Sequence, residues 1–183
     1  MDSNINDMDS NINPEPEVIS QALEDDGTFP NNSTHPLVLY KKAIRFSNGN
    51  GANIIEEIFH GNKWGGSWRN GIYPFHHYHS TAHEVLGVYK GEARVQFGGE
   101  KGPILAVATG DVVIIPAGVA HKNINSSYDF RVVGAYPAGQ SWDMNYGKEG
   151  ERPAADRNIS SVPDPGSDPV YESKSPFLTL WGS

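Results

Sequence analysis

The sequence predicts an all-β sandwich or barrel with one or two short helices at its periphery. Three observations carry that reading. Between about residues 36 and 137 the apolar runs are short and rich in β-branched residues: "HEVLGVY", "ARVQFGG", "ILAVAT", "DVVIIP", "FRVVGAYP". Glycine, proline or asparagine punctuates nearly every one of them. A single stretch, "GANIIEEIFHGN", has a convincing helical period.

In chain order, residues 1–16 are polar and contain a tandem "MDSNIN" at 1–6 and 8–13. A single six-residue duplication is too short and too polar to form a packing repeat, so the segment reads as a disordered acidic tail. Val18–Leu23 allows an apolar strand or a helical turn, closed by Asp-Gly and Pro-Asn turn signals. "PLVLYKKAIRF" alternates weakly, as a strand would. In the helical stretch Ile54, Ile55, Ile58 and Phe59 fall on one stripe, and Gly-Asn supplies the stop. The short strands follow. Residues 138–183 are loop-like and rich in Gly, Pro, Ser and Asp, with one short helix expected at "RPAADRNIS" and Pro153 at its first position. "SPFLTLWGS" is too apolar for a free tail and is expected to dock on the body or on a neighbouring subunit.

The 183 residues suit one domain with a modest core. There is no cysteine, which excludes disulfides and thiolate metal sites. The net charge of −8 is local: eight acids and no Lys or Arg precede Lys41, leaving fourteen of each sign in the remainder. No basic patch with interleaved aromatics is present, so no nucleic-acid partner is expected. The first residues lack a basic flank and an apolar stretch, and the longest apolar run, Val112–Ala120, is too short for a bilayer and holds a proline. The expectation is a soluble cytoplasmic protein without a membrane partner.

"YPFHHYHSTAHEVLGVYKG" holds four of the seven histidines within eight residues. If Tyr73–His79 is extended, Tyr73, Phe75, His77 and His79 share one face, and His76 and Tyr78 take the other. Two imidazoles two residues apart on a strand can reach one ion. Glu84 lies an odd five residues beyond His79, so a reversal at Ser80–Ala82 is needed to turn it toward the same point. His83 then faces outward with His76, as surface or contact residues. A helical pairing of His79 with His83 is disfavoured by Pro74 and by the β-branched, aromatic flanks. The second cluster, "GDVVIIPAGVAHKNIN", reads as a strand, a Pro116-Ala117-Gly118 turn and a strand opening near His121, with His121, Asn123 and Asn125 on one face.

These residues resemble the two motifs of the cupin superfamily. Gly71, His77, His79, Glu84 and Gly91 stand at the spacing of the first, and Gly110, Pro116, Gly118, His121 and Asn125 at that of the second. The 18 residues between them, 92–109, fit the short connection of single-domain bacterial cupins. The resemblance implies a double-stranded β-helix, the cupin jelly-roll barrel, over 17–140 with an N-terminal extension. Residues 141–183 would be a loop-rich extension packing on the barrel or on a dimer partner. The extensions are similar to those of a poorly characterised subgroup, which brings no reaction with it.

The resemblance further implies that His77, His79, Glu84 and His121 bind one divalent metal. Such a donor set favours Fe or Mn and also suits Ni, Cu or Zn. Tyr73 and Phe75 are expected to line the cavity by strand parity, and Asn123 and Tyr136 to stand behind the ligands as polar supports. Trp64, Trp68, Trp142 and Trp181 read as core or interface anchors. No lysine or arginine general base is evident beside the ligands, and the inward or outward sense of Arg94 and Gln96 is open. The leading functional expectation is a small-molecule metalloenzyme, of oxygenase type ahead of isomerase or decarboxylase. The rival is a metal- or ligand-binding cupin without turnover, serving as a sensor, store or structural protein. A homodimer is expected, with outward Val85 and "FLTLW" as its candidate contacts.

Overall fold

A computed structural model describes residues 10–46 and 49–182. The described residues form nine strands, all paired antiparallel, in two sheets. The six-stranded sheet has the order β1 (Glu17–Leu23), β2 (Asn32–Lys41), β7 (Val112–Ile115), β4 (Glu84–Lys90), β9 (Arg131–Pro137), β3 (Trp64–Asn70). The three-stranded sheet has the order β6 (Ile104–Ala108), β5 (Glu92–Phe97), β8 (His121–Ser126). The all-β, two-sheet architecture with short peripheral helices expected from the sequence is therefore the fold observed.

Strand parity builds two cores. Leu37, Leu39, Leu86, Val88, Val113, Ile115 and Val132 point inward and meet Val95, Phe97 and Val107 of the smaller sheet. The alternating residues Val38, Tyr40, Val85, Val112, Ile114, Val133 and Ala135 point outward, yet they are equally buried. The strands of the large sheet are thus apolar on both faces, which explains the unbroken run "VVII" of β7.

The outer face is covered by the chain itself. Helix α1 (Gly51–Gly61) lays Ala52, Ile55, Ile58 and Phe59 on it, and Asn50 caps the helix by accepting from the amides of Ala52 and Asn53. Helix α3 (Pro176–Leu180) and Trp181 complete the cover with Phe177. Asp168 clasps this end: its buried carboxylate accepts from the hydroxyls of Tyr40 and Ser175 and from the amides of Val170 and Tyr171. Of the expected dimer contacts, Val85, Phe177 and Trp181 are buried within the chain, while Leu180 remains 39% exposed.

Three local expectations change. Residues 1–9 of the predicted tail lie outside the described residues, but 10–16 are held to the body. Asn13 donates its amide to Ala43, and its carbonyl accepts from the Tyr171 hydroxyl. Helix α2 (Ala154–Ser161) begins one residue later than expected, with Pro153 at its cap. Tyr73–His79 is not a ladder strand, because only His77 and Tyr78 make isolated bridges, to His121 and Asn145. No helix of the described residues is long and apolar enough to cross a membrane.

Candidate metal centre

Glu84 opens β4 on the inward parity shared with Leu86 and Val88. Tyr136 occupies the same parity on β9, two residues beyond Gly134. After β3 the chain leaves the large sheet and crosses to the small one. There the His77 amide donates to the His121 carbonyl, and the His121 amide donates back to His77. This reciprocal bridge sets the two imidazoles side by side, with ring centres 4.1 Å apart. The two sheets therefore supply the site jointly.

The ring nitrogens of His77, His79 and His121 converge to within 4.8 Å of one another, and all three residues are buried. Glu84 joins them through two contacts, Oε2 to His79 Nε2 and Oε1 to His121 Nε2, each 3.3 Å. The other nitrogen of every ring faces a backbone carbonyl. His77 Nδ1 lies 3.0 Å from the Phe75 carbonyl, His79 Nδ1 2.5 Å from Asp143, and His121 Nδ1 3.0 Å from Val119. A carbonyl only accepts, so each Nδ1 carries the proton. In the neutral rings the lone pair is then on Nε2, aimed at the common centre. That is the tautomer a metal ligand requires, held by the usual kind of outer contact. The residues fit a divalent ion.

The electrostatics agree. Burial and the neighbouring imidazoles push the His77 pKa down to about 3, which keeps its Nε2 free of a proton. Burial opposes charge on His79, but the Glu84 carboxylate outweighs it and raises that pKa. Burial would raise Glu84, yet its two imidazole partners hold it well below the usual carboxylate range. Glu84 is thus held as a buried carboxylate among three imidazoles, and a cation at the common centre would offset its charge.

Tyr136 supports Glu84 from behind. Its hydroxyl donates to Glu84 Oε2 at 2.9 Å and accepts from Trp68 Nε1 at 2.8 Å. Burial and the nearby Glu84 charge drive the phenol far above its ordinary pKa, so it remains a donor. Trp68 can reach it because position 134 has no side chain: a Cβ there would stand 2.2 Å from the indole.

The centre forms the floor of a cavity of about 220 Å³. Tyr73, Trp142 and Met144 are among its lining residues. Tyr73 stands at the mouth, 48% exposed. Phe75, 41% exposed, stacks on Tyr73 outside the wall rather than lining it. Strand parity thus places Tyr73 in the lining but fails for Phe75, because the chain bends at Pro74. Asn123 is also outside the lining: its amide group donates to Ser126, and its buried Oδ1 has no partner. Arg94 is exposed, and Gln96 spends its amide on the carbonyls of Glu100 and Gly102.

His76 and His83 point away from the centre, as parity required, but neither is a surface residue. His83 is 1% exposed, and its Nδ1 accepts the Ala117 amide at 2.9 Å. With the Gly118 amide bonded to the His79 carbonyl, this ties the Pro116-Ala117-Gly118 turn to the first histidine cluster. Gly118 is at φ +93°, and a Cβ there would meet the Asn31 carbonyl at 2.3 Å. His83 also packs on Trp181, which stacks on His35. His76 is buried beside Phe29, with Nε2 3.2 Å from Glu100 but not aligned as a hydrogen bond.

The segment after β9 is the part of the site that motif reading missed. Its Asp143 carbonyl orients His79, its Asp143 carboxylate binds the Ser80 amide and hydroxyl, and Trp142 and Met144 wall the cavity. The sole signal for it was the pairing of a tryptophan with an aspartate in a loop otherwise short of apolar residues.

Residues 70–133 match the Cupin domain family. The chain is 42% identical over 167 residues to the Uncharacterized protein YjlB of Bacillus subtilis (strain 168), covering 91% of this chain and 98% of that protein. Among solved structures, an uncharacterized conserved protein with a double-stranded beta-helix domain from Klebsiella pneumoniae aligns over 80% of this chain and 94% of its own. That pair shares 16% identity at a TM-score of 0.35. The 11S globulin from Wrightia tinctoria aligns at 19% identity and a TM-score of 0.35 over 44% of this chain, which spans 22% of the globulin's length.

Proposed function

Since the chain belongs to the cupin superfamily as a single-domain relative of YjlB, we propose that His77, His79, Glu84 and His121 bind one divalent metal and that the protein is a small-molecule metalloenzyme. One observation carries the reading: three Nε2 lone pairs and a carboxylate converge at the floor of a cavity that leads to solvent. Three nitrogens and one oxygen favour Fe(II) or Mn(II), with Ni, Cu or Zn also suited to the donors. When bound, such an ion supplies Lewis-acid or O₂-activating chemistry, with positions left over for a small molecule.

The chain's own groups hold and orient. The carbonyls of Phe75, Asp143 and Val119 keep each imidazole in its ligating tautomer. Tyr136 holds Glu84 in its ionised form by donating to it. Outside the ligand set, the titratable groups of the lining are Arg69, Tyr73 and Tyr136. Arg69 is engaged by Glu56 and Asn53, and Tyr136 is kept protonated, so no strong side-chain base stands ready. That favours oxygenase-type chemistry, in which the substrate brings its own acidic group, over isomerisation driven by a protein base.

The test is metal analysis of the purified protein, followed by O₂ consumption with catechols, thiols and keto acids. Stoichiometric Fe or Mn with uptake on one class supports the proposal. Zinc or no metal, with no uptake, would replace it by the non-catalytic binding role.

A further inference from the structure

Charge in the cavity is sparse. Its lining holds one carboxylate, Glu84, and one cation, Arg69. The Arg69 guanidinium already faces both oxygens of Glu56, at 2.6 and 3.0 Å, and Asn53 at 2.6 Å. A substrate carboxylate or phosphate away from the ligand cluster would find no unpaired cation and would have to displace Glu56. The walls are apolar and aromatic, and two of the aromatics are only half covered: Trp142 is 50% exposed and Tyr73 48%.

Each of these rings abuts a different imidazole of the cluster. Trp142 lies 5.7 Å from the His79 ring and nearly parallel to Tyr136, at 23°. Tyr73 meets His77 edge to face at 5.3 Å. Trp142 is also held in place, because the neighbouring Asp143 bonds His79 through its carbonyl and Ser80 through its carboxylate. Two fixed aromatic surfaces beside a polar centre present ring-sized apolar area that water covers poorly.

We propose that this site takes a flat, uncharged ring compound, which presents its donor atoms to the ligand cluster and lays its ring against Trp142 and Tyr73, with Trp142 the specificity-determining residue. The proposal rests on the metal-centre reading above. It excludes substrates that carry a carboxylate or phosphate on the part remote from the cluster.

Calorimetric titration of Zn(II)-loaded full-length protein with three hydroxamates tests it. Acetohydroxamate has the chelating group alone, benzohydroxamate adds a neutral ring, and 4-carboxybenzohydroxamate adds a remote charge. Ring stacking and burial should make benzohydroxamate bind about tenfold or more tightly than acetohydroxamate. The remote carboxylate should reverse part of that gain. In Trp142→Ala the ring preference should shrink toward unity with Zn(II) still retained, and Trp142→Phe should restore most of it. Equal binding of the first two compounds by the wild type, or tightest binding of the carboxylated one, would overturn the ring proposal and leave the metal centre standing. Failure to retain Zn(II), with no binding of any probe, would overturn both.

Discussion

Replacing Tyr136 by Phe isolates the support behind Glu84. The substitution removes one hydroxyl and little volume. It deletes the 2.9 Å bond to Glu84 Oε2 and leaves Trp68 Nε1 without its acceptor. A hydrogen bond to a buried carboxylate contributes about 1.5–3 kcal/mol, and an unpaired indole N–H adds about 1 kcal/mol of cost. The metal-free protein should therefore lose about 2–4 kcal/mol in a denaturant titration. Glu84 also becomes less firmly oriented, so divalent metal affinity, measured by competition with a chelator, should fall roughly 10- to 100-fold. Unchanged stability and affinity would mean that Tyr136 only fills space, and the chain from Trp68 through Tyr136 to Glu84 would have no functional meaning.

Other perturbations separate ligand from scaffold. His121→Ala removes the donor supplied by the small sheet and should abolish stoichiometric metal retention, read by metal analysis; full occupancy would mean the ligand set is wrong. His83→Ala should keep the metal but cost roughly 2–3 kcal/mol in stability, because the Ala117 amide loses its acceptor and Trp181 its ring contact. Burial first, then the nearby His35, holds the His83 pKa down at about 4, against an ordinary 6.5. A depressed histidine pKa lets the unfolded chain bind the proton more readily, so this contribution is intact above pH 6.5 and is lost as pH falls through 4. Denaturant midpoints followed with chelator present should show about 3 kcal/mol of that loss in the wild type and a flatter profile in His83→Ala; identical profiles would place the titration elsewhere. Gly134→Ala should destabilise by about 2 kcal/mol or more, since its Cβ would collide with the Trp68 indole at 2.2 Å, and near-normal stability would show that the indole can move aside.

The converging cluster was legible because it is written in short-range spacing. His77 and His79 sit two apart, a reversal is needed before Glu84, and Pro116-Ala117-Gly118 marks the turn ahead of His121. Turn chemistry and side-chain alternation are local rules, and they held in the strands β4, β7 and β9, where ladder hydrogen bonds enforce them. They failed to bring Phe75 into the lining, and Asn123 bonds Ser126 instead of supporting a ligand. The segment around Pro74 has no ladder to enforce parity, whereas Asn123 keeps regular register with His121, the irregularity of the β5–β8 pairing falling between Asn123 and Asn125. The outward sense assigned to His76, His83 and Val85 was right, but outward did not mean exposed. Cover on that side comes from α1, Trp181 and Phe29, whose packing depends on contacts far along the chain.

By itself, then, the sequence determined the β character, the one long helix and the identity of four side chains that converge, because spacing and turn chemistry are written locally even though the four meet across two sheets. Tertiary structure alone decided what stands around them. That Asp143 orients His79 from 64 residues away, that Tyr136 braces Glu84 from 52, and that Trp142 walls the cavity follow from how the sheets and the trailing segment pack. Such contacts have no sequence period, since each is made where two distant surfaces happen to be complementary in shape and hydrogen bonding.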